Sequence, residues 1–319
     1  KRHPLPPMSR DPRSNLHRLR LDDGRDLAWE VWGNPAGVPT YFFHGFPSSG
    51  ALAGVVEVPA RDAGLCLIAP DRPGFGHSSP AAGRRILDWP TDVEALADHL
   101  GHLRFDLIGV SCGGPYALAC ALRLPDRVRR VALVAGMGPM DVPALRKTQL
   151  PFLKLLFGLA RRAPWLAAPL LLPDRSLARL DPARVARMLA GLLAGPDRAL
   201  LARDPEVARR FGASMAGAYR QGVGAALQEA ALIAGPRGFD LRDIAVPVSL
   251  HQPLQDRHVP PAMAEQMVAR LPHANLRRYA DEGHLSVLVN RFDEIAQDLR
   301  APAQTETRRF PNDSTQGGT

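Results

Sequence analysis

Residues 105–124 read FDLIGVSCGGPYALACALRL and decide the fold. The run 105–110 predicts a strand buried on both faces of a sheet, and the Ala- and Leu-rich run 115–124 predicts a helix. Between them stands Gly109-Val110-Ser111-Cys112-Gly113, a G-x-S-x-G pattern. A serine on so tight a strand-to-helix turn projects its hydroxyl above the sheet edge, and the glycines admit neighbouring chain without a clash. We therefore predict Ser111 as a nucleophile.

The rest of the chain repeats this alternation of strand and helix. An opening hairpin, 17–21 and 27–32, is joined by the turn signal Asp22-Asp23-Gly24. Alternation of strands with helices predicts an α/β fold with a mostly parallel sheet flanked by helices. The further predicted strands are 40–43, 65–69, 128–135, 246–250 and 275–279, and the further predicted helices are 49–63, 89–103, 261–271 and 284–300.

A long helical segment interrupts this alternation. Residues 143–235 show Leu, Ala and Arg at helical spacings and no strand pattern. We predict that this insertion forms a helical cap over a core made of 17–142 and 236–300. Ligands bind at the carboxyl edge of open α/β sheets, where the insertion would roof a pocket, and we expect part of its apolar stretch 150–173 to line that pocket. Residues 1–16 are predicted as a flexible arm and 301–319 as a disordered tail.

Two further residues follow Ser111 in an informative order. Asp256 comes after the predicted strand 246–250, and His284 comes after the strand 275–279. Ser, then Asp, then His is the chain order of one type of catalytic triad. Imidazole suits the removal of a proton from serine near neutral pH, and a carboxylate holds the imidazole in the useful tautomer.

The segment His44-Gly45-Phe46-Pro47 follows the predicted strand 40–43. Gly45 lets the chain turn inward, so the backbone N–H of Phe46 can join that of Cys112 in an oxyanion hole. We expect His44 to brace this turn, and we expect Asp71 and Arg72 to hold their own loop by hydrogen bonds.

Taken together, these motifs resemble the α/β-hydrolase family over roughly residues 17–300. The resemblance implies a Ser111–His284–Asp256 triad, oxyanion donors at Phe46 and Cys112, acyl transfer, and no metal or organic cofactor. The matching motifs are His44 to Pro47, Asp71-Arg72-Pro73-Gly74-Phe75-Gly76-His77-Ser78, the turn 109–113, Asp256 with Val259-Pro260, and Gly283-His284.

One position departs from the family pattern. Many members have a His-Gly pair ahead of the acid, where this chain has Pro253. Proline fixes φ and removes an N–H, so the sequence leaves open whether the loop that carries Asp256 is displaced. Asp141, just past the strand 128–135, is the alternative acid, because some members place the acid there.

Cys112 has a second interpretation. A thiol beside the nucleophile and at a helix N-terminus can have a lowered pKa and respond to oxidants. We prefer the simpler interpretation, in which Cys112 contributes its backbone N–H and a small side chain.

These residues predict a serine hydrolase that cleaves a carboxylic ester and loses activity below about pH 6.5, as its histidine is protonated. The alternatives are a proline-releasing aminopeptidase, a perhydrolase or lyase, and a non-catalytic ligand-binding member of the fold. An aminopeptidase needs carboxylates to hold the substrate ammonium. The insertion offers few carboxylates among its many arginines. They are Asp174, Asp181, Asp197, Asp204, Glu206 and Glu229.

Composition and cysteine spacing argue against other classes of protein. The 319 residues carry a net charge of +8, but the arginines are spread along the chain, so we expect no nucleic-acid partner. Three cysteines without regular spacing predict neither a disulfide framework nor a zinc site. Segment 1–13 lacks an apolar signal core, and no apolar run is long enough to span a bilayer. We predict a cytoplasmic protein that acts on a small ester or amide. A removed leader and a homodimer both stay open.

Overall fold

The computed structural model describes residues 15–177, 180–181, 184–185 and 193–301. The predicted arm and tail therefore lie almost entirely outside the described residues. Eight strands form one sheet in the order β1-β2-β4-β3-β5-β6-β7-β8. The strands are β1 (Leu16–Arg20), β2 (Asp26–Gly33), β3 (Val38–Phe43), β4 (Leu65–Pro70), β5 (Phe105–Val110), β6 (Val128–Val134), β7 (Val248–Pro253) and β8 (Ala274–Tyr279).

The sheet is mostly parallel, as the alternation of elements predicts. Among the described strands, the antiparallel pairs both involve β2, which pairs with β1 in the opening hairpin and with β4 on its other side. From β4 to β8 every neighbouring pair is parallel. The carboxyl ends of β3, β5, β7 and β8 therefore meet at one edge of the sheet, which brings distant loops together.

Helices cover both faces of the sheet. They are α1 (Glu57–Asp62), α2 (Trp89–His99), α3 (Gly114–Arg123), α4 (Pro151–Arg162), α5 (Pro164–Leu177), α6 (Gly195–Arg203), α7 (Pro205–Ala218), α8 (Gly224–Ala234), α9 (Pro261–Val268), α10 (Ser286–Asn290) and α11 (Phe292–Arg300). Helices α4 to α8 all lie between β6 and β7 in the chain, within the segment predicted to be a cap. None of the helices in the described part of the chain combines the length and apolar character needed to cross a bilayer.

The core consists of two apolar layers, one on each face of the sheet. Neighbouring strand residues alternate between them: Tyr41 and Phe43 pack in one layer with α2 and α3, and Phe42 packs in the other with α1 and α11. This alternation is the period of two that a strand imposes, and both sets are apolar because both faces are covered.

Two of the predicted helices are each divided in the structure. Segment 49–63 is a 3-10 turn, Gly50–Val56, followed by the short helix α1. Pro59 has no N–H to donate and fits only in the first turn of a helix, so one helix cannot run through the segment. The predicted helix 284–300 is two helices, because Arg291 leaves helical geometry and turns its guanidinium back to Asp281 and Glu282.

Candidate active site

Ser111 occupies the turn between β5 and α3 in a strained conformation. Its φ is +51°, a left-handed value that non-glycine residues seldom adopt. Gly113 makes this turn possible, because a Cβ there would lie 2.2 Å from the carbonyl oxygen of Phe43. The backbone is further fixed where Met137 N–H donates to the Ser111 carbonyl at 2.8 Å. The sequence therefore folds so that this serine stands at the carboxyl edge of the sheet.

His284 and Asp256 come together at the same edge. His284 Nδ1 lies 2.7 Å from Asp256 Oδ2, and the other oxygen, Oδ1, accepts backbone N–H bonds from His258 at 2.7 Å and Val259 at 3.0 Å. Burial disfavours protonation of His284, but the Asp256 carboxylate outweighs it, and the pKa of His284 is raised above 6.5. Asp256 therefore both orients the ring and stabilises its protonated form.

Pro253 does not displace the loop that carries Asp256, a question that the sequence leaves open. Pro253 is the last residue of β7 and still pairs with Tyr279, and Leu254 N–H then donates to the Tyr279 carbonyl at 2.8 Å. The proline is thus the last residue of the strand, and the residue after it still donates a hydrogen bond to β8. Asp141, the alternative acid, has an exposed side chain, whereas Asp256 is 3% exposed.

The loop that follows β3 approaches the serine closely. A Cβ on Gly45 would lie 3.3 Å from Ser111 Cβ. Phe46 and Cys112, the two predicted oxyanion donors, line one cavity together with Ser111 and His284. The structure therefore brings all five predicted site residues, those four and Asp256, to one place.

A family model for the alpha/beta hydrolase fold matches residues 39–291. The chain belongs to the alpha/beta hydrolase fold family.

Solved structures with the same fold include esterases. The chain is 22% identical to a thermophilic esterase from Thermogutta terrifontis, with a TM-score of 0.65 over 90% of this chain and 97% of that one. It is 20% identical to the esterase RhEst1 from Rhodococcus sp. ECU1013, with a TM-score of 0.65 over 90% and 98%. At these identities the likeness concerns the fold.

Sequence relatives match over shorter stretches. A 2-hydroxymuconate semialdehyde hydrolase of Pseudomonas putida is 43% identical over 74 residues, which is 23% of this chain and 26% of that protein. A proline iminopeptidase of Neisseria gonorrhoeae is 32% identical over 118 residues, which is 36% of this chain and 38% of that protein. The chain thus aligns with well under half the length of these relatives.

The loop beside Ser111 is held by a buried arginine. Arg72 is fully buried and donates to the carbonyl oxygens of His44 and Gly45, the second at 3.0 Å from Nη2. Its own backbone N–H donates to His44 Nε2 at 3.3 Å, and His44 Nδ1 lies 2.9 Å from the Gly45 carbonyl oxygen. Burial and the nearby Arg72 charge keep the pKa of His44 well below 6.5, so this imidazole is neutral. Arg72 was predicted to hold its own loop by hydrogen bonds, but its side chain binds the loop that follows β3 instead.

An inserted helix supplies the counter-charge for that arginine. Glu229 of α8 is fully buried and accepts from Arg72 Nε at 2.9 Å, from Arg84 Nη2, and from the Tyr116 hydroxyl at 2.7 Å. Burial opposes ionisation, but Arg72 and Arg84 outweigh it and lower the pKa of Glu229. A chain of buried polar contacts therefore runs from α8 to the backbone beside Ser111.

The cavity over the serine has a volume of about 230 Å³ and an apolar lining. The predicted segment 150–173 contributes to it as expected, through Leu150 and α4. Further described lining residues come from α7. None of the described lining residues is Asp, Glu, Lys or Arg. The apolar side chains that surround the cavity are Phe46, Leu52, Val110, Met137, Leu150, Phe152, Leu153, Phe157, Leu193, Phe211, Met215 and Leu285.

Cys112 does not have the reactive thiol of the second interpretation. Its side chain is 1% exposed, and burial, with Glu229 nearby, raises the pKa of the thiol to about 12. The helix N-terminus does not overcome the cost of an ionised sulfur in this surrounding.

A second histidine stands beside the first. The rings of His258 and His284 have centroids 4.9 Å apart and planes inclined by 31°, and His258 Nδ1 lies 3.8 Å from Asp256 Oδ1. Ligand atoms of Asp256, His258 and His284 are all within 4.8 Å of one another. His284 Nδ1 already contacts Asp256, so this ring nitrogen is engaged by the carboxylate and is not free to bind an ion.

Sequence reasoning missed the residues that support this site. Glu229 and Asp197 were visible only as isolated acids in the insertion, and His258 was one of several scattered histidines. None has a local pattern, because each acts through contacts made only after the chain has folded.

Proposed function

We propose that this protein is a serine hydrolase that cleaves carboxylic esters with a compact, apolar acyl group. The observation that carries the proposal is the 2.7 Å contact between His284 Nδ1 and Asp256 Oδ2 at a cavity that is also lined by Ser111, a serine held at φ +51°. Ser111 and His284 share an apolar cavity. Such a set of residues is recognised as a triad by its geometry and not by its position in the chain.

In the first step, the Ser111 oxygen attacks the ester carbonyl carbon while His284 Nε2 takes the hydroxyl proton. Asp256 keeps the proton of His284 on Nδ1, which leaves the lone pair of Nε2 free to act as a base. The imidazolium that forms is stabilised by the same carboxylate.

The carbonyl oxygen becomes negatively charged as the new C–O bond forms. We assign its stabilisation to the backbone N–H groups of Phe46 and Cys112. Removal of one such donor typically costs about 3–4 kcal/mol of transition-state stabilisation. Arg72 supports this step indirectly, because it fixes the carbonyls of His44 and Gly45 and so the course of the chain into Phe46.

The tetrahedral species collapses as the bond to the alcohol oxygen breaks, and His284 gives its proton to that oxygen. A water molecule then attacks the acyl-enzyme, with His284 again as the base. The acid is released and Ser111 regains its proton. The balance is one ester and one water to one acid and one alcohol.

The cavity supports the choice of substrate. Its volume of about 230 Å³ is below the roughly 300 Å³ at which sites for drug-sized molecules begin, which favours a small acyl group. Its lining offers apolar contact and no charge to a substrate among the described residues.

The same lining disfavours the aminopeptidase, although a relative carries the name proline iminopeptidase. A free substrate ammonium in an apolar cavity needs a carboxylate partner. The described carboxylates of the inserted helices are engaged elsewhere: Glu229 with Arg72 and Arg84, Asp204 with the first turn of α7, and Glu206 with Arg209 and Arg210. Asp197 accepts the backbone N–H groups of residues 284–286.

The test is hydrolysis of p-nitrophenyl butyrate by the wild type and by Ser111→Ala. We expect turnover in the wild type and its loss in the variant. Ser249→Ala is the matched control, because Ser249 is also a buried serine but lies within β7. Turnover that survives in Ser111→Ala would refute the assigned nucleophile.

A second substrate separates ester from peptide chemistry. L-proline p-nitroanilide should be hydrolysed far more slowly than the ester. The reverse preference would refute the proposed substrate class while keeping the triad.

A further inference from the structure

A buried carboxylate from the inserted helices contacts the backbone of His284. Asp197, in the first turn of α6, is 0% exposed. Its Oδ2 accepts from the His284 N–H at 3.0 Å, and its Oδ1 accepts from Leu285 N–H at 3.0 Å and Ser286 N–H at 2.8 Å. One side chain thus binds three successive backbone donors, 87 to 89 residues away in the sequence.

The chain is shaped to admit this carboxylate. A Cβ on Gly283 would lie 2.5 Å from Asp197 Oδ1 and 2.6 Å from its Cγ, so only glycine fits there. Gly283 N–H in turn donates to Ser286 Oγ at 2.8 Å. The turn that carries His284 is therefore fixed on its backbone by Asp197, while its ring is fixed by Asp256.

We infer that Asp197 is a positioning residue for the catalytic base, supplied by the inserted helices to the loop that carries His284. It does not touch the substrate or the reacting atoms. It acts through His284, by fixing the backbone from which the imidazole projects and by placing a second negative charge behind the ring. The inference rests on the proposed function, since it assigns the base role to His284.

The negative charge of Asp197 affects the pKa of His284 in a definite direction. Burial lowers the pKa of His284, Asp256 raises it, and Asp197 raises it further. Other groups around the ring leave this direction unchanged: the neighbouring His258 is neutral near pH 7, since burial and the charge of His284 lower its pKa to about 4, and Glu282 is paired with Arg291. Loss of the Asp197 charge should therefore lower the pKa of the base.

The test is the pH profile of kcat/KM for p-nitrophenyl butyrate in the wild type, Asp197→Asn and Asp197→Glu. An asparagine of the same size cannot accept all three N–H bonds and has no charge. We expect its kcat to fall about tenfold or more with KM little changed, because small misplacements of a catalytic group are costly. Its acid limb should move to lower pH. Asp197→Glu, which keeps the charge, should restore the wild-type position of the limb.

Asp204→Asn is the matched control. Asp204 is also an aspartate of the inserted helices that accepts backbone N–H bonds, from Glu206 and Val207, but it does not contact the His284 loop. This variant should keep the wild-type kcat and pH profile. If Asp197 had only a structural role, Asp197→Asn would lower the thermal stability of the protein and leave the acid limb of the pH profile at its wild-type position. That result would overturn the inference.

Labelling of Ser111 by a fluorophosphonate keeps the two proposals separate. The reaction needs the base but no particular ester, so slower labelling in folded Asp197→Asn would support the inference even if the wild type hydrolysed no tested ester. An equal labelling rate in both proteins would refute it. If Ser111 is not labelled in the wild type at all, the proposed function itself fails.

A further variant provides the test if the Asp197 variants do not fold. If circular dichroism shows that the Asp197 variants are unfolded, Gly283→Ala replaces them, because its methyl group would push the carboxylate away from the loop while every charge is kept. We expect a fall in kcat, and unchanged kcat in folded Gly283→Ala would overturn the inference.

Discussion

Replacement of Glu229 by glutamine should weaken both the fold and the reaction. The carboxylate stands between Arg72 and Arg84 with no access to water, and it also accepts from Tyr116. Glutamine has the same shape but no charge, so it leaves two buried guanidinium groups without a counter-ion. Removal of one partner of a buried ion pair costs about 3–5 kcal/mol.

That free energy translates into a measurable change. At about 2 °C per kcal/mol for a chain of this size, the Tm should fall by about 6–10 °C. Arg72 would also lose the contact that holds it against the carbonyls of His44 and Gly45. Complete loss of one oxyanion donor costs about a hundredfold or more in kcat, so partial displacement of Phe46 should cost about tenfold.

The assay combines thermal unfolding with ester hydrolysis at a temperature below both measured Tm values. Asp92→Asn is the control, because Asp92 is also buried and paired with an arginine, Arg25, but does not line the cavity. The control variant should have a lowered Tm and the wild-type kcat. A Glu229→Gln protein with the wild-type Tm, or with a lowered Tm and the wild-type kcat, would refute the claim that Glu229 of α8 supports the loop that carries Phe46.

Three further outcomes are expected. The acid limb of kcat/KM should have its midpoint above pH 6.5, because Asp256 raises the pKa of His284 and the base must be neutral to act; a midpoint at or below 6.5 in a pH-rate profile would contradict this. Leu153→Trp should narrow the cavity and lower kcat/KM for the butyrate ester more than for the acetate ester, and an equal effect on both would place the acyl group elsewhere. Iodoacetamide should leave wild-type activity unchanged at pH 8, because burial raises the pKa of the Cys112 thiol to about 12; rapid inactivation that Cys112→Ala abolishes would show the opposite.

The residues that the structure brings together at the candidate site were predictable because their signals are local. Ser111 stands between an apolar strand and an unbroken helix, and strand endings locate His284 and Asp256 at the same sheet edge. The effect of Pro253 on the Asp256 loop could not be predicted from the sequence. Composition warns of a missing N–H there, but whether that N–H is needed depends on where β7 ends and which strand it pairs with.

The supporting residues were not predictable from local pattern. Asp197 lies 87 residues from His284, and Glu229 lies 157 residues from Arg72. Their contacts depend on how the inserted helices pack on the sheet edge, which no periodicity within those helices encodes. A single acid in a helix has the same appearance in the sequence whether it faces solvent or is buried against a catalytic loop.

The most direct test of the central claim is to find which atom becomes covalently modified during reaction. The protein would be treated with a fluorophosphonate, digested, and mapped by mass spectrometry, alongside His284→Ala and Asp256→Asn. The account predicts an adduct on Ser111 in the wild type and strongly slowed labelling in both variants. An adduct at another residue, or labelling of Ser111 that is equally fast without His284, would contradict it.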